Sequence, residues 1–124
     1  LFSSDLSLIK KVMSNIDRHD RIDIINFNTD RIDALTSDDL KNEIIRVLDN
    51  NHPRVILNLK GIQYIDSTGF GCFLAVFKTA KNNYGILKFA CPEPRVSKAF
   101  LTLNLNTVFE IFDNLEDCIR SFII

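Results

Sequence analysis

The clearest pattern of hydrophobic and polar positions lies in the middle of the chain. Val55, Ile56, Leu57 and Leu59 form a β-branched and aliphatic run with one polar break, too short for a free-standing helix and characteristic of a buried strand. Beyond it, Phe70, Phe73, Leu74, Phe77 and Ala80 recur at spacings of three and four, which predicts an amphipathic helix over 68–82. The connecting stretch Ile65-Asp66-Ser67-Thr68-Gly69 therefore delivers an acid, two hydroxyls and a glycine to a helix N-terminus. There the unpaired N–H groups and the helix dipole favour negative charge, so any chemistry is expected at this junction.

The rest of the chain alternates strands and helices. In residues 1–21, Leu6, Ile9, Met13 and Ile16 have helical spacing with Ser3 or Ser4 as cap, and Asp17-Arg18-His19-Asp20 reads as a polar break. Residues 22–27 alternate as a strand expected beside the central one. Residues 34–50 read as a helix, with Thr36 or Ser37 as cap, Asp38 and Asp39 in its first turn, and Leu40, Ile44, Val47 and Leu48 on one face. The central strand, 54–59, follows Asn50-Asn51-His52-Pro53, so a strand, helix, strand crossover of right-handed sense is expected. Asn82-Asn83-Tyr84-Gly85 is a turn by composition, 86–90 a further strand, and 95–103 a short helix entered through Pro92 and Pro94, with Val96, Ala99, Phe100 and Leu103 inward. A short strand over 108–112 and a helix over 115–122, with Leu115, Ile119 and Phe122 on one side, complete the chain. The pattern is α/β: a small mixed β-sheet packed against about four α-helices.

Composition narrows the function more than the fold. A chain of 124 residues is the size of a single domain, taken here as 1–124. Its 15 basic residues balance 16 acidic ones without a basic stripe interleaved with aromatics, so direct nucleic-acid binding is not expected. Cys72, Cys91 and Cys118 are too widely spaced for a zinc cluster, and three is a poor number for a disulfide framework, which suits a reducing cytoplasm. No apolar run approaches the roughly 18 residues that cross a bilayer, so membrane insertion is not expected.

The motifs of common enzymes are missing. Ser67 has Ile65 two residues before it, where a nucleophile elbow needs glycine. Gly69 lies three residues after Asp66, where an aspartic-protease triplet would place it two after, and no phosphate-loop or complete dinucleotide motif occurs. His19 and His52 read as surface histidines, so no catalytic residue, metal site or cofactor is expected in this chain. From the residues alone, Ser67 and Thr68 are helix caps, and Gly69 and Gly71 serve either turn and packing chemistry or the close approach of another chain. Asp33 and Asp66 are expected to end neighbouring strands at one sheet edge, either as capping or solvated carboxylates or as hydrogen-bonding groups for a partner or the serine. Phe70, beside the serine, is expected to be exposed for a partner.

The run I-Q-Y-I-D-S-T-G-F-G after V-I-L-N-L closely resembles the phosphorylation-site segment of the STAS family, the anti-sigma factor antagonists. D-R-I-D-A-L-T-S-D-D-L at 30–40 resembles that family's second signature, with Asp30 where glycine is common, and F-L-T-L-N-L at 100–105 resembles a third, with Asn104 where glycine is usual. The resemblance covers roughly residues 22–122 and places a first strand near 8–16, the reading we favour there over a helix. It implies a non-enzymatic partner-switching module. By that resemblance, the unmodified domain would bind an anti-sigma factor that is also a serine kinase; phosphorylation of Ser67 would end the complex, and a metal-dependent serine phosphatase would reset it. ATP and magnesium would belong to the kinase, manganese or magnesium to the phosphatase. Asp33, Asp66, Thr68, Gly69 and Phe70 would surround the acceptor as partner-binding residues. The alternative is a STAS regulatory domain or subunit of a membrane transporter or a lipid-trafficking complex.

Overall fold

The computed structural model describes residues 13–123. Strands β1 (Ser14–His19) and β2 (Ile22–Phe27) form an antiparallel hairpin. Its two-residue turn, Asp20-Arg21, has φ of 50° and 66°, the left-handed pair that matches the twist of a tight hairpin. The polar stretch expected to break the chain at 17–20 thus continues β1 as far as His19, and the turn comes later. The reason is position: β1 pairs on one side only and is exposed along nearly its whole length, and an exposed edge strand tolerates and even favours charge. Of the strand expected near 8–16, residues 8–12 lie outside the described residues.

From β2 inward the sheet is parallel, with order β1-β2-β4-β6-β7, where β4 is Arg54–Asn58, β6 Ile86–Ala90 and β7 Ile111–Phe112. Strands buried on both faces read as continuous apolar runs, which is why Val55, Ile56 and Leu57 show no alternation. The remaining strands, β3 (Arg31–Ile32) and β5 (Tyr64–Ile65), make a separate two-residue parallel pair that the periodicity does not reveal.

The sheet divides the core. On one face Ile25, Val55, Leu57 and Phe89 pack with α1 (Ser37–Leu48), α2 (Ser67–Asn82) and α3 (Pro94–Thr102), through Leu40, Ile44, Phe73, Val76 and Phe100 among others. On the other, Ile22, Ile24, Ile56 and Ala90 meet Cys118 and Phe122 in and just after α4 (Leu115–Arg120). Lys88 enters this second face and is only 6% exposed. A buried ammonium needs partners, and its Nζ has the Ser121 hydroxyl at 2.8 Å, Glu110 at 3.3 Å and the Phe122 ring centroid at 4.7 Å.

Two expectations near the C-terminal end change. Leu103, expected inward, is exposed at the cap of α3, and the strand expected over 108–112 keeps only Ile111 and Phe112 because a 3-10 turn, Leu105–Thr107, occupies the approach. Asn104 between them has φ 55°, the left-handed conformation for which asparagine is the best substitute for glycine.

Candidate functional site

The short β3–β5 pair builds the site. Ile32 and Ile65 are partners in register, so the residues that follow them, Asp33 and Asp66, emerge side by side at the same edge, as the sequence predicted. The two carboxylates turn to the local backbone. Asp33 Oδ1 accepts from the Leu35 N–H at 3.0 Å. Asp66 is the N-cap of α2: its Oδ1 accepts from Thr68 N at 2.9 Å, Gly69 N at 3.1 Å and the Thr68 hydroxyl at 2.6 Å. These bonds, the Thr68 hydroxyl foremost, hold the Asp66 carboxyl below its ordinary value, with burial opposing and the Ala34 N–H assisting.

With Asp66 as the cap, Ser67 becomes the first residue of α2. It is exposed, and among the described residues its hydroxyl has no hydrogen-bond partner. The cap assignment read from the residues for Ser67 and Thr68 therefore belongs to the acid before them. Thr68 is exposed as well, but its hydroxyl is committed to Asp66.

Gly69 and Phe70 face the other way. A Cβ on Gly69 would lie 2.6 Å from both the Ile32 carbonyl oxygen and Ile65 Cγ2, so the backbone that approaches this glycine is the chain's own β3. Phe70, expected to be exposed, is 6% exposed and packs edge-on against Phe73 and Phe100, with ring centroids 6.2 and 5.4 Å away. Its spacing of three and seven from Phe73 and Phe77 places it on the buried stripe of α2, and that periodicity outweighs its nearness to the serine. Asp30, where the resemblance has glycine, does not have positive φ; its carbonyl accepts from Gln63 N at 2.7 Å and Tyr64 N at 3.2 Å, a bend open to any residue.

Two grooves flank the junction. One, of about 460 Å³, runs between the start of α2 and α3 and is lined by Asp66, Ser67, Phe70, Arg95, Lys98 and Leu103 among others. The other, of about 280 Å³, lies toward α1 and includes Asp38, Lys41, Thr68 and Gly71. Sequence reasoning missed Arg95 and Lys98. The available signal was their spacing with Ala99 and Thr102, which sets all four along one side of α3 next to the buried Val96 and Phe100.

Neither histidine joins the serine. His19 ends β1 beside Asp20, and the His52 ring faces the Tyr84 carbonyl at 3.2 Å before β4 begins. Burial pushes the thiols of Cys72 and Cys118 up to about 11 and about 12 and also raises that of Cys91, so none is an activated nucleophile. Among the described residues no group of three or more potential ligands could hold a metal ion, and no helix is long and apolar enough to cross a membrane.

A family model described as the STAS domain matches residues 13–118, and the chain belongs to that family. Solved structures share the fold. The anti-sigma-factor antagonist (STAS) domain protein from Planctomyces limnophilus superposes with a TM-score of 0.82 at 12% identity, covering 90% of this chain and 98% of that one. The anti-sigma factor antagonist SpoIIAA in its unphosphorylated form gives 0.70 at 19% identity, over 90% and 97%. The murine Slc26a9 anion transporter in its inward-facing state gives 0.71 at 10% identity, covering 85% of this chain but 18% of the transporter.

Proposed function

We propose that this chain is a phosphorylation-regulated anti-sigma factor antagonist, acting in the cytoplasm as one domain that binds a kinase-type anti-sigma factor until Ser67 is phosphorylated. The observation that carries the reading is the exposed, unbonded Ser67 hydroxyl at the head of α2, free because Asp66 does the capping. The kinase holds ATP and magnesium. Ser67 Oγ forms a bond to the terminal phosphorus, ADP leaves, and the hydroxyl proton passes to a base of the kinase. The product carries about −1.5 to −2 of new charge. Forced into a tight protein contact, that charge costs several kcal/mol through desolvation and like-charge repulsion. The fold itself tolerates it, because an anion at a helix N-terminus gains roughly 0.3 to 1 kcal/mol, partly offset here by Asp66. A metal-dependent serine phosphatase returns the domain to its binding form. Asp33, Asp66 and Thr68 present the contact surface, while Gly69 and Phe70 shape it from beneath.

The test combines three measurements. Incubation with the kinase and ATP, followed by peptide mapping, should place one phosphate on Ser67, and none on Ser67→Ala. Titration against the partner should show affinity lost on phosphorylation, while thermal melting stays level or rises. A fall in melting temperature that tracks the lost affinity would replace local electrostatics by an unfolding switch. The fold shared with a domain of an anion transporter favours a second reading, a transporter's regulatory domain or subunit. Under that reading docking needs no acceptor, and Ser67→Ala and phosphorylation would both leave docking unchanged.

A further inference from the structure

We infer that Arg95 and Lys98 form a receiving site for a phosphoryl group on Ser67, drawing the modified serine onto α3. The inference rests on the reading of Ser67 as the acceptor and names what the phosphoryl group meets. Both cations line the same groove as Ser67. They sit three residues apart on one side of α3, so their heads approach the groove from neighbouring turns. Both residues are exposed, and neither has an ion-pair partner among the described residues, whereas Arg18, Arg31, Lys88 and Arg120 all do. Two uncommitted cations beside an uncommitted hydroxyl make a match for a phosphoserine, since arginine pairs with phosphate through two parallel N–H bonds and lysine as a point charge.

The charges facing the site set the balance. Asp66 is the acid within this groove; Glu93, at the head of α3, is turned to the Gly61 N–H at 2.8 Å, and Asp38 and Lys41 belong to the groove on the far side. Before modification the groove carries Asp66 against Arg95 and Lys98. Afterwards the phosphoryl group and Asp66 together slightly exceed the two cations, so the new charge is largely met on the domain itself. The phosphorylated state then withdraws two cations and the groove between α2 and α3 from any partner, in addition to repelling it.

The test needs no kinase. Phosphoserine is installed at position 67 during synthesis, and its second ionisation is followed by phosphorus NMR against pH. Replacing both cations, R95Q with K98Q, should raise that pKa by roughly half a unit, the scale of exposed charge pairs, with each single change giving part of the rise. Molar salt should shrink the difference. Phosphothreonine installed at 68, in the other groove, should not respond to the double change. Identical titrations of phosphoserine in the parent and the double variant would overturn the site, as would an equal response at 68. Melting of the unmodified double variant checks that the fold is intact. A shift at 67 in a protein whose kinase ignores Ser67 would uphold the receiving site and remove the regulatory reading, so the two failures are distinct.

Discussion

The starts of α1 and α2 are built from similar residues to opposite effect. Each follows a two-residue strand of the β3–β5 pair and an aspartate, and each offers a serine and a threonine within the next few positions. At α2 the aspartate is itself the cap, satisfying two backbone N–H groups and the Thr68 hydroxyl, and Ser67 is left exposed with nothing to bind. At α1 two residues, Ala34 and Leu35, intervene, and the cap position falls to Thr36. Thr36 makes no side-chain cap bond; its hydroxyl instead accepts from Asp33 N at 3.0 Å and donates to the Arg31 carbonyl at 3.3 Å, while Ser37 is buried. At α1 the Thr36 hydroxyl and the Asp33 carboxylate hold the turn together. At α2 the Asp66 carboxylate and the Thr68 hydroxyl do so, and the junction presents a serine.

The largest expected effect comes from the close approach beneath the α2 junction. Gly69→Ala would drive a methyl group into the Ile32 carbonyl and the Ile65 side chain, each 2.6 Å away, and backbone on β3 cannot yield as a flexible side chain would. We expect a loss of about 2 to 3 kcal/mol in denaturant unfolding, net of alanine's better helix propensity. Gly71→Ala, which meets nothing within 4 Å, should instead gain about 0.5 to 1 kcal/mol. Equal effects at the two glycines would mean that the β3–β5 platform does not press on α2.

Next in size is the α1 junction. Thr36→Ala strands the Asp33 N–H and should cost about 1 kcal/mol, most of it recovered by Thr36→Ser, which restores the hydroxyl. If Ala and Ser were alike, the hydroxyl would have no part in this turn, and the contrast with α2 would reduce to the position of the acid.

What could be read in advance follows from where periodicity speaks. The central strand and α2 announce themselves because burial on both faces of one, and along one stripe of the other, leaves unmistakable patterns at Val55 to Leu57 and at Phe70, Phe73 and Phe77. The junction was legible as an acid and hydroxyls before a helix, and the side-by-side placement of Asp33 and Asp66 was foreseen. The division of labour among them was not, since Asp66, Ser67 and Thr68 are all competent caps and only the backbone at Asp66, with φ −98° and ψ −173°, decides which one serves. The two-residue strands β3 and β5 are too short to carry any alternation. Phe70 misled because nearness in sequence to the serine was allowed to outweigh its place on the apolar stripe. Arg95 and Lys98 lie some thirty residues on, and only the packing of α3 beside the α2 junction brings them to Ser67.

A smaller effect separates the acid's charge from its geometry. Asp66→Asn keeps the capping geometry, because asparagine caps as aspartate does, and at neutral pH gives up only the modest gain of a charge at a helix start. The pH profiles should differ. The hydrogen bonds that Asp66 accepts depress its folded pKa below the ordinary 3.8, so its contribution to stability is fully present above that value and is lost as pH falls through the folded pKa. Melting temperatures followed from pH 5 downward should therefore decline more steeply for the parent than for the Asn variant. Parallel curves would remove the carboxylate charge from the account of the α2 cap.

The smallest effect bears most directly on function. If Ser67 were a working cap, Ser67→Ala would cost about 0.5 to 2 kcal/mol, as the loss of a hydroxyl cap does elsewhere. The hydroxyl has no partner among the described residues, the N–H groups of Thr68 and Gly69 are already taken by Asp66, and alanine is the better helix former at a first-turn position. We therefore expect Ser67→Ala to leave stability within about 0.5 kcal/mol of the parent, or to raise it slightly, in paired urea titrations with unchanged slope. A serine that can be deleted without loss to the fold is available to something outside it, and phosphate acceptance is the use proposed here. A cost approaching that of Thr36→Ala would return Ser67 to the fold, erase the difference between the two helix starts, and withdraw the observation on which the proposed switch rests.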